Sequence, residues 1–272
     1  MYELSGKDAV VTGAGSGIGR ALAQNLAAHG CKLALADINE AALAETAKLL
    51  PSTTLTQKLD VSDRAAVYAF AERVHRELGG ARVVINNAGV ALSQTVEKLS
   101  YEDFEWLMGI NFWGVVYGTK AFLPPMLAAR DGVMVNISSV FGIIGVPTQS
   151  AYNAAKFGVR GFTEALRHEL EGSGVRAVCV HPGGIKTNIA RASRHYVDVE
   201  GGTDAKAAAD RFDRVAATTP AQAAEVIVNG ILHGRERVLI GGDAKFISLI
   251  ARLFPANYWK VLGAVMRKLA KK

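Results

Sequence analysis

The chain has 272 residues, half of them apolar, with 28 glycines and a net charge of +6. This suits one large α/β domain, and no linker divides it. The basic excess lies largely at the end, in Lys260, Arg267, Lys268, Lys271 and Lys272, so it marks a tail and argues against a nucleic-acid partner. The two cysteines, Cys31 and Cys179, stand in or beside apolar runs, and no CxxC or HExxH pattern occurs; a disulfide framework and a metal site are both excluded.

The N-terminus enters a strand almost at once, over Asp8–Thr12, without the basic and apolar segments of a signal peptide. No apolar run reaches the roughly eighteen residues of a spanning helix, and a cytoplasmic protein is expected. GAGSGIG follows at 13–19, then a helix over Arg20–His29. A glycine turn between strand and helix brings backbone N–H groups to a phosphate, which the helix N-terminus favours. Gly13, Gly17 and Gly19 carry this turn, and their spacing departs from the G-x-G-x-x-G form. The second strand, Lys32–Ala36, closes on Asp37, about twenty residues beyond the turn. An acid there accepts hydrogen bonds from an adenosine ribose and repels a 2′-phosphate; it can equally be a helix cap. Ser16 and Ile38 occupy positions from which a basic residue would meet that phosphate, so NAD is favoured over NADP.

Thr54–Leu59 reads as the third strand, followed by Asp60 and Val61. An amphipathic helix over 63–78 has Val67, Phe70, Val74 and Leu78 on one face. The fourth strand, Arg82–Ile85, runs into Asn86, Asn87, Ala88 and Gly89, where the asparagines can brace the crevice. Residues 101–130 read as mostly helical and unusually apolar, with Asn111 the polar exception, either a structural amide or a group holding a water. The fifth strand, Gly132–Ile137, delivers Ser138 and Ser139. A helix beginning near Ala151 places Tyr152 and Lys156 on one face. A lysine ammonium beside a phenol favours the phenolate, so the pair can exchange a proton with a carbinol or carbonyl oxygen that a strand-end serine holds. The bland alternative is a surface Tyr and Lys with a serine in a turn.

The sixth strand, Val175–Val180, ends in HPGGIKT at 181–187, a loop that can lie over a nicotinamide, with Thr187 reaching a carboxamide or pyrophosphate. Residues 188–218 read as a helical lid or a solvent-facing insertion. A helix over Pro220–Leu232 and a seventh strand over Arg237–Ile240 complete a Rossmann-type, doubly wound, seven-stranded parallel sheet in a single domain, 1–244. Residues 245–272 form an amphipathic helical extension broken at Pro255. Phe246, Leu249, Ile250, Leu253 and Phe254 share one face, and Tyr258, Trp259, Leu262, Val265, Met266 and Leu269 continue it. This tail packs on a second subunit, covers the active site, touches a membrane interface or is merely solvated.

Together these marks resemble the classical short-chain dehydrogenase/reductase family over residues 5–242: TGAGSGIG at 12–19, Asp37, DV at 60–61, NNAG at 86–89, Asn111, Ser139, YNAAK at 152–156 and PGGIKT at 182–187. The resemblance implies that Tyr152 is the general acid or base and that Lys156 lowers its pKa and binds the nicotinamide ribose. Ser139, whose interval to the tyrosine matches the family better than that of Ser138, would hold the substrate oxygen, and Asn111 a water on the proton relay. It places the dinucleotide along Gly13, Ser16, Gly17, Ile18 and Gly19, at Asp37 and Ile38, and beside Asp60 and Val61. Asn87, Ala88, Gly89, Pro182, Gly183, Ile185 and Thr187 complete that lining. It further implies a homo-oligomer paired through the helices near 101–129 and 152–171.

The expected reaction is NAD-dependent oxidation of a secondary alcohol to a ketone, or its reversal, with hydride chemistry supplied by the cofactor. Val90, Leu92, Val140, Ile143, Ile144 and Val146 suggest a bulky apolar substrate, whereas Arg191 and Arg194 would suit an anionic one. The alternatives are an NADPH-dependent 3-oxoacyl or other carbonyl reductase and a non-catalytic dinucleotide-binding protein. Asp37 stands against the first, and the intact Ser139, Tyr152 and Lys156 against the second.

Overall fold

A computed structural model of the protein describes residues 1–51 and 54–263. Apolar runs bounded by turn residues form the strands. They are β1 (Asp8–Thr12), β2 (Lys32–Asp37), β3 (Leu55–Lys58), β4 (Val83–Asn86), β5 (Leu92–Ser93), β6 (Gly132–Ile137), β7 (Val175–Pro182), β8 (Arg194–His195) and β9 (Arg237–Ile240). The helices between them are α1 (Gly17–Ala28), α2 (Glu40–Lys48), α3 (Arg64–Leu78), α4 (Tyr101–Met108), α5 (Gly114–Ala129), α6 (Ser150–Glu169), α7 (Ala205–Val215), α8 (Pro220–Leu232) and α9 (Gly242–Leu253). Side-chain caps start several of them: Asn39, Asp63, Ser100 and Asp204 each accept from a first-turn amide, and Thr219 with Gln222 forms a capping box ahead of Pro220.

Seven strands pair in parallel in the order β3-β2-β1-β4-β6-β7-β9. The order reverses beside β1, which lies between β2 and β4, so a crevice opens there at the strand C-termini. The sheet is covered on both faces. Leu22 and Leu26 of α1 and Ile227 and Ile231 of α8 pack on one. Phe70 and Val74 of α3, Phe122 and Met126 of α5 and Leu166 of α6 pack on the other. A buried polar row crosses the second face: the Asn86 amide donates to Asn136 at 2.8 Å, and the Asn136 amide donates to Thr163 at 3.0 Å. Each member is satisfied, which fixes β4, β6 and α6 in one register.

Three regions differ from the sequence expectations. The segment 101–130 is not one regular helix, since a π-helical turn over Gly109–Trp113 separates α4 from α5, with the Gly114 amide reaching back to the Gly109 carbonyl. Residues 188–218 hold only one helix, α7, and the strand β8 pairs with β5 in a small second sheet. The C-terminal helix α9 begins at Gly242, inside the expected catalytic domain. After the break at Pro255 a further helical turn covers residues 258–263. Val265, Met266 and Leu269 lie outside the described residues. Phe246, Leu249, Leu253 and Phe254 are exposed on α9. No helix among the described residues is long and apolar enough to cross a membrane, and among them no acid, His and Cys cluster suits a metal. Cys31 and Cys179 are buried free thiols.

Candidate active site

The crevice is built from the loops that leave β1, β2, β4, β6 and β7. Gly13 has φ +66° and Gly17 φ +52°, a left-handed backbone that favours glycine. At Gly19 a Cβ would collide with the Gly13 carbonyl, so α1 starts close against the turn. The Asn87 amide braces the same turn by donating to the carbonyls of Thr12, at 2.9 Å, and Gly13, at 3.2 Å. Thr12 Oγ1 in turn accepts from the amides of Asn87 and Ala88. Ser16 caps α1 in extended backbone without a side-chain bond to the helix, leaving its hydroxyl at the mouth of the helix. Asp37 Oδ2 accepts from the Gly15 amide at 2.8 Å and Oδ1 from the Asn39 amide at 2.8 Å. The carboxylate thus lies against the glycine turn, with Ile38 exposed beside it.

Across the crevice, the loop after β7 is held from behind. Ile185 is buried and pairs in parallel with Thr218, whose carbonyl accepts from the Lys186 amide at 2.9 Å. The Gly184 amide donates to Asp243 at 2.6 Å, and Asp243 leaves no room for a Cβ at Gly183. Thr187 approaches the glycine turn, since a Cβ on Gly17 would lie 3.1 Å from Thr187 Cγ2. The Thr187 side chain and the glycine turn therefore border each other at the start of α1, where backbone N–H groups could hold a phosphate. Asp60 is exposed and folds onto the Ser62 amide and hydroxyl. Val61 turns its side chain inward against Gly114.

At the centre, Ser139, Tyr152 and Lys156 come together. Ser139 Oγ accepts from the Phe141 amide at 3.1 Å and neighbours the Tyr152 phenol, whose ionised form it favours. Ser138 is turned away, donating to the Lys156 carbonyl at 2.8 Å from a buried position. Lys156 is 3% exposed, and its Nζ donates to the Ile137 carbonyl at 2.9 Å and lies 5.7 Å from the Tyr152 ring centre. Burial governs both ionisable groups. Desolvation pushes Tyr152 up to about 12, opposed by the neighbouring Ser139 hydroxyl, and brings Lys156 down to about 8. Enclosure is the larger influence on the phenol, and Ser139 is the neighbour that favours its ionised form.

Asn111, fully buried in the π turn, uses its amide on Val90, accepting from its N–H and donating to its carbonyl at 2.8 Å each. Its Oδ1 and Lys156 Nζ both border Gly89. The helix widens where this side chain is needed, a common setting for π turns. Arg191 and Arg194 are both paired within the protein. Arg191 pairs with Asp210 and Asp213, and Arg194 pairs with Asp103 while stacking 3.7 Å over Trp106. Of the apolar residues expected around a substrate, Leu92, Val140 and Ile144 are buried in the protein, whereas Val90, Ile143 and Val146 are partly exposed.

Several residues at this site had no role in the sequence reading. His181, fully buried on β7, bonds through Nδ1 to the Ser139 carbonyl at 3.0 Å, and burial brings it down to about 4, so the ring is neutral. Asn153 pins the loop after Ser139, and Asp243 pins Gly184. A polar residue inside an apolar strand was the readable signal for His181; its partner, 42 residues earlier, was not.

Residues 7–198 match the family model described as short chain dehydrogenase. The chain belongs to the short chain dehydrogenase family. SadH of Mycobacterium tuberculosis is 48% identical over 274 residues, covering 98% of each chain. Estradiol 17-beta-dehydrogenase 11 of Macaca fascicularis is 30% identical over 265 residues, covering 95% of this chain and 83% of the relative. Among solved structures, a short chain dehydrogenase/reductase from Burkholderia phymatum in complex with NAD superposes with a TM-score of 0.85 at 32% identity, covering 93% of this chain and 95% of that one. The protein is thus an oxidoreductase of the short chain dehydrogenase family, with that family's nicotinamide dinucleotide chemistry and small-molecule substrates.

Proposed function

We propose that the protein interconverts a secondary alcohol and a ketone with NAD, on a substrate whose body is apolar and bulky. The observation that carries this reading is the convergence of Ser139, at the end of β6, with Tyr152 and the buried Lys156, whose Nζ lies 5.7 Å from the Tyr152 ring centre. When bound, the oxidised dinucleotide supplies a hydride acceptor and a positive charge. Gly13, Ser16, Gly17, Ile18 and Gly19 would hold its phosphates, Asp37 its adenosine ribose, and Lys156 its second ribose. Asp60 and Val61 would flank the adenine, with Val61 contributing backbone because its side chain is packed on Gly114. Asn87, Ala88, Gly89, Pro182, Gly183, Ile185 and Thr187 would line the remainder, the buried Ile185 as a support.

In the alcohol-to-ketone direction Ser139 holds the carbinol oxygen and Tyr152 phenolate takes its proton, while the carbon-bound hydrogen leaves as hydride. In the reverse direction the protonated phenol, the stable form in the free protein, donates to the ketone oxygen. The Phe141 amide donates to the Ser139 hydroxyl, which in turn would donate to the Tyr152 oxygen and so favour the phenolate. Asn111 sets the backbone at Val90, and a water at its turn would pass protons from Lys156.

NAD rather than NADP is supported by the Asp37 carboxylate against the glycine turn, where it would repel a 2′-phosphate. An apolar substrate is supported by Val90, Ile143 and Val146 and by the neutralisation of Arg191 and Arg194. Pairing of copies through α5 and α6 is supported by exposed Trp113, on the turn before α5, and Phe157 on α6. Initial rates with NAD and NADP in parallel, against secondary alcohols from small polar to bulky apolar, test the reading. The expected outcome is NAD reduction that rises with apolar bulk. Activity with NADP alone overturns the role of Asp37 and returns the 3-oxoacyl reductase as the better reading; silence with both dinucleotides overturns the alcohol assignment.

A further inference from the structure

The loop from Val140 to Gln149 joins the substrate-holding serine to the helix that bears Tyr152, and it is pinned from several sides. From α6, Asn153 accepts from the Val146 amide at 3.0 Å and donates to the carbonyls of Phe141, at 2.7 Å, and Ile144, at 2.8 Å. From the residue that follows β5, the Gln94 amide donates to the Thr148 carbonyl at 2.8 Å. Thr148 has φ +65°, a left-handed backbone that a β-branched residue keeps only when its surroundings impose it. Phe141 meets the Tyr152 ring edge-on, with centroids 6.0 Å apart. This loop is therefore a wall whose shape is set by its contacts.

One contact comes from the far end of the chain. The Gly145 amide donates to Tyr258 Oη at 2.9 Å, and the same hydroxyl lies 3.4 Å from the Gly145 carbonyl, across 113 residues of sequence. A single phenol thus occupies both backbone polar groups of the residue between Ile144 and Val146. The tyrosine is itself fixed: its amide bonds the Phe254 carbonyl at 2.8 Å, and Leu262, one turn further on, is 6% exposed. The other end of this segment is held by Asp243 on the Gly184 amide. Residues 242–258 therefore run as a strap from the loop after β7 to the loop after Ser139.

We propose that Tyr258 is a specificity-determining positioning residue: its hydroxyl holds Gly145, and with it Ile143 and Val146, in the arrangement that admits a bulky apolar substrate. This rests on the reading of the Ser139–Tyr152 crevice as the alcohol site. The hydroxyl touches neither Tyr152 nor Ser139 in any hydrogen bond of the described residues, so its effect falls on fit and not on proton transfer. A lost hydrogen bond of this partly buried kind changes the population of an ordered loop by roughly threefold to tenfold.

The test is Tyr258→Phe, which keeps the ring and removes the hydroxyl. Steady-state kinetics with NAD would use 2-butanol, 2-octanol and 1-phenylethanol, alongside hydrogen–deuterium exchange of peptides spanning 140–149. The expected result has kcat within about twofold of wild type. KM for the bulkiest alcohol rises roughly threefold to tenfold relative to that for 2-butanol, and the 143–146 amides exchange faster while the Tm holds. An unchanged KM ratio or unchanged exchange overturns the proposal, as does an equal loss of kcat on all alcohols. Wild-type silence toward the whole panel would sink the alcohol reading instead, and exchange in the variant would then decide the tether alone: faster exchange supports it and equal exchange overturns it.

Discussion

Around the glycine turn, the crevice is held by Asn87, Thr12 and Asp37 bonding the backbone at the ends of adjoining strands. Across from it, the segment from 188 to 218 adds ion pairs at the surface to its short β8 pairing: Arg191 with Asp210 and Asp213, and Arg211 with Asp198 and Glu200. The two kinds of support behave differently. Hydrogen bonds to strand-end backbone are expensive to leave unmade, and salt hardly screens them. Exposed ion pairs contribute about 0–1 kcal/mol each and weaken as salt rises. The wall at the glycine turn is therefore the more firmly held of the two, while the surface ion pairs of 188–218 give way at little cost.

The sharpest test of this division is Tyr152→Phe, at the junction of the two walls. Turnover should fall about 10²–10⁴-fold, while NAD binding, measured by fluorescence titration, stays within about twofold. Loss of NAD affinity would move Tyr152 to the cofactor wall. Lys156→Met comes next and probes the buried floor. The folded protein releases the Lys156 proton near pH 8, whereas the unfolded chain keeps it to about 10.5. The unfolded state binds more protons in that window, so wild type should gain stability as pH rises through it, by roughly 3 kcal/mol at most. The variant should lack this gain in thermal melts from pH 7 to 10.5; parallel pH curves for the two proteins would contradict a depressed lysine.

Asp37→Ala is expected to weaken NAD by about tenfold and NADP by less, because a charged acceptor is lost from the ribose and a repulsion from the phosphate. Equal losses in a titration with both dinucleotides would remove the basis for an NAD preference. The smallest effect should come from Arg191→Ala: about 0.5 kcal/mol or less in denaturant unfolding, vanishing in high salt. A loss of several kcal/mol would show that the 188–218 segment holds the fold and would erase the contrast between the walls.

Legibility in the sequence follows the same contrast. The strands Asp8–Thr12, Gly132–Ile137 and Arg237–Ile240 and the helix Pro220–Leu232 have the expected bounds because glycine, proline and polar caps mark their ends locally. Ser139, Tyr152 and Lys156 meet as their spacing implied, since a strand end and one helical face fix their positions. The β5–β8 pair was not legible, because Leu92–Ser93 finds its partner 102 residues away through two-residue strands with no pattern of their own. The burial that pushes the Tyr152 phenol up was not legible either, because enclosure is a property of packing. Tyr258 stood out only as part of an apolar face, and its hydroxyl's partner was out of reach of any periodicity.

The π turn at Gly109–Trp113 has a consequence for how this chain tolerates length changes. A regular α-helix turns about 100° per residue, whereas a π turn, closed by a bond one residue longer, takes up one extra residue within the same turn. Deleting a single residue of Gly109–Trp113 would let α4 and α5 fuse into one continuous helix with their faces still in phase, so Leu107, fully buried on α4, would keep its place. The loss would be local, at the hold of Asn111 on Val90. The same deletion inside α4 or α5 would turn one half against the other by about 100°. These five residues are therefore where the helical segment can change length without changing phase, and the site is what registers the change.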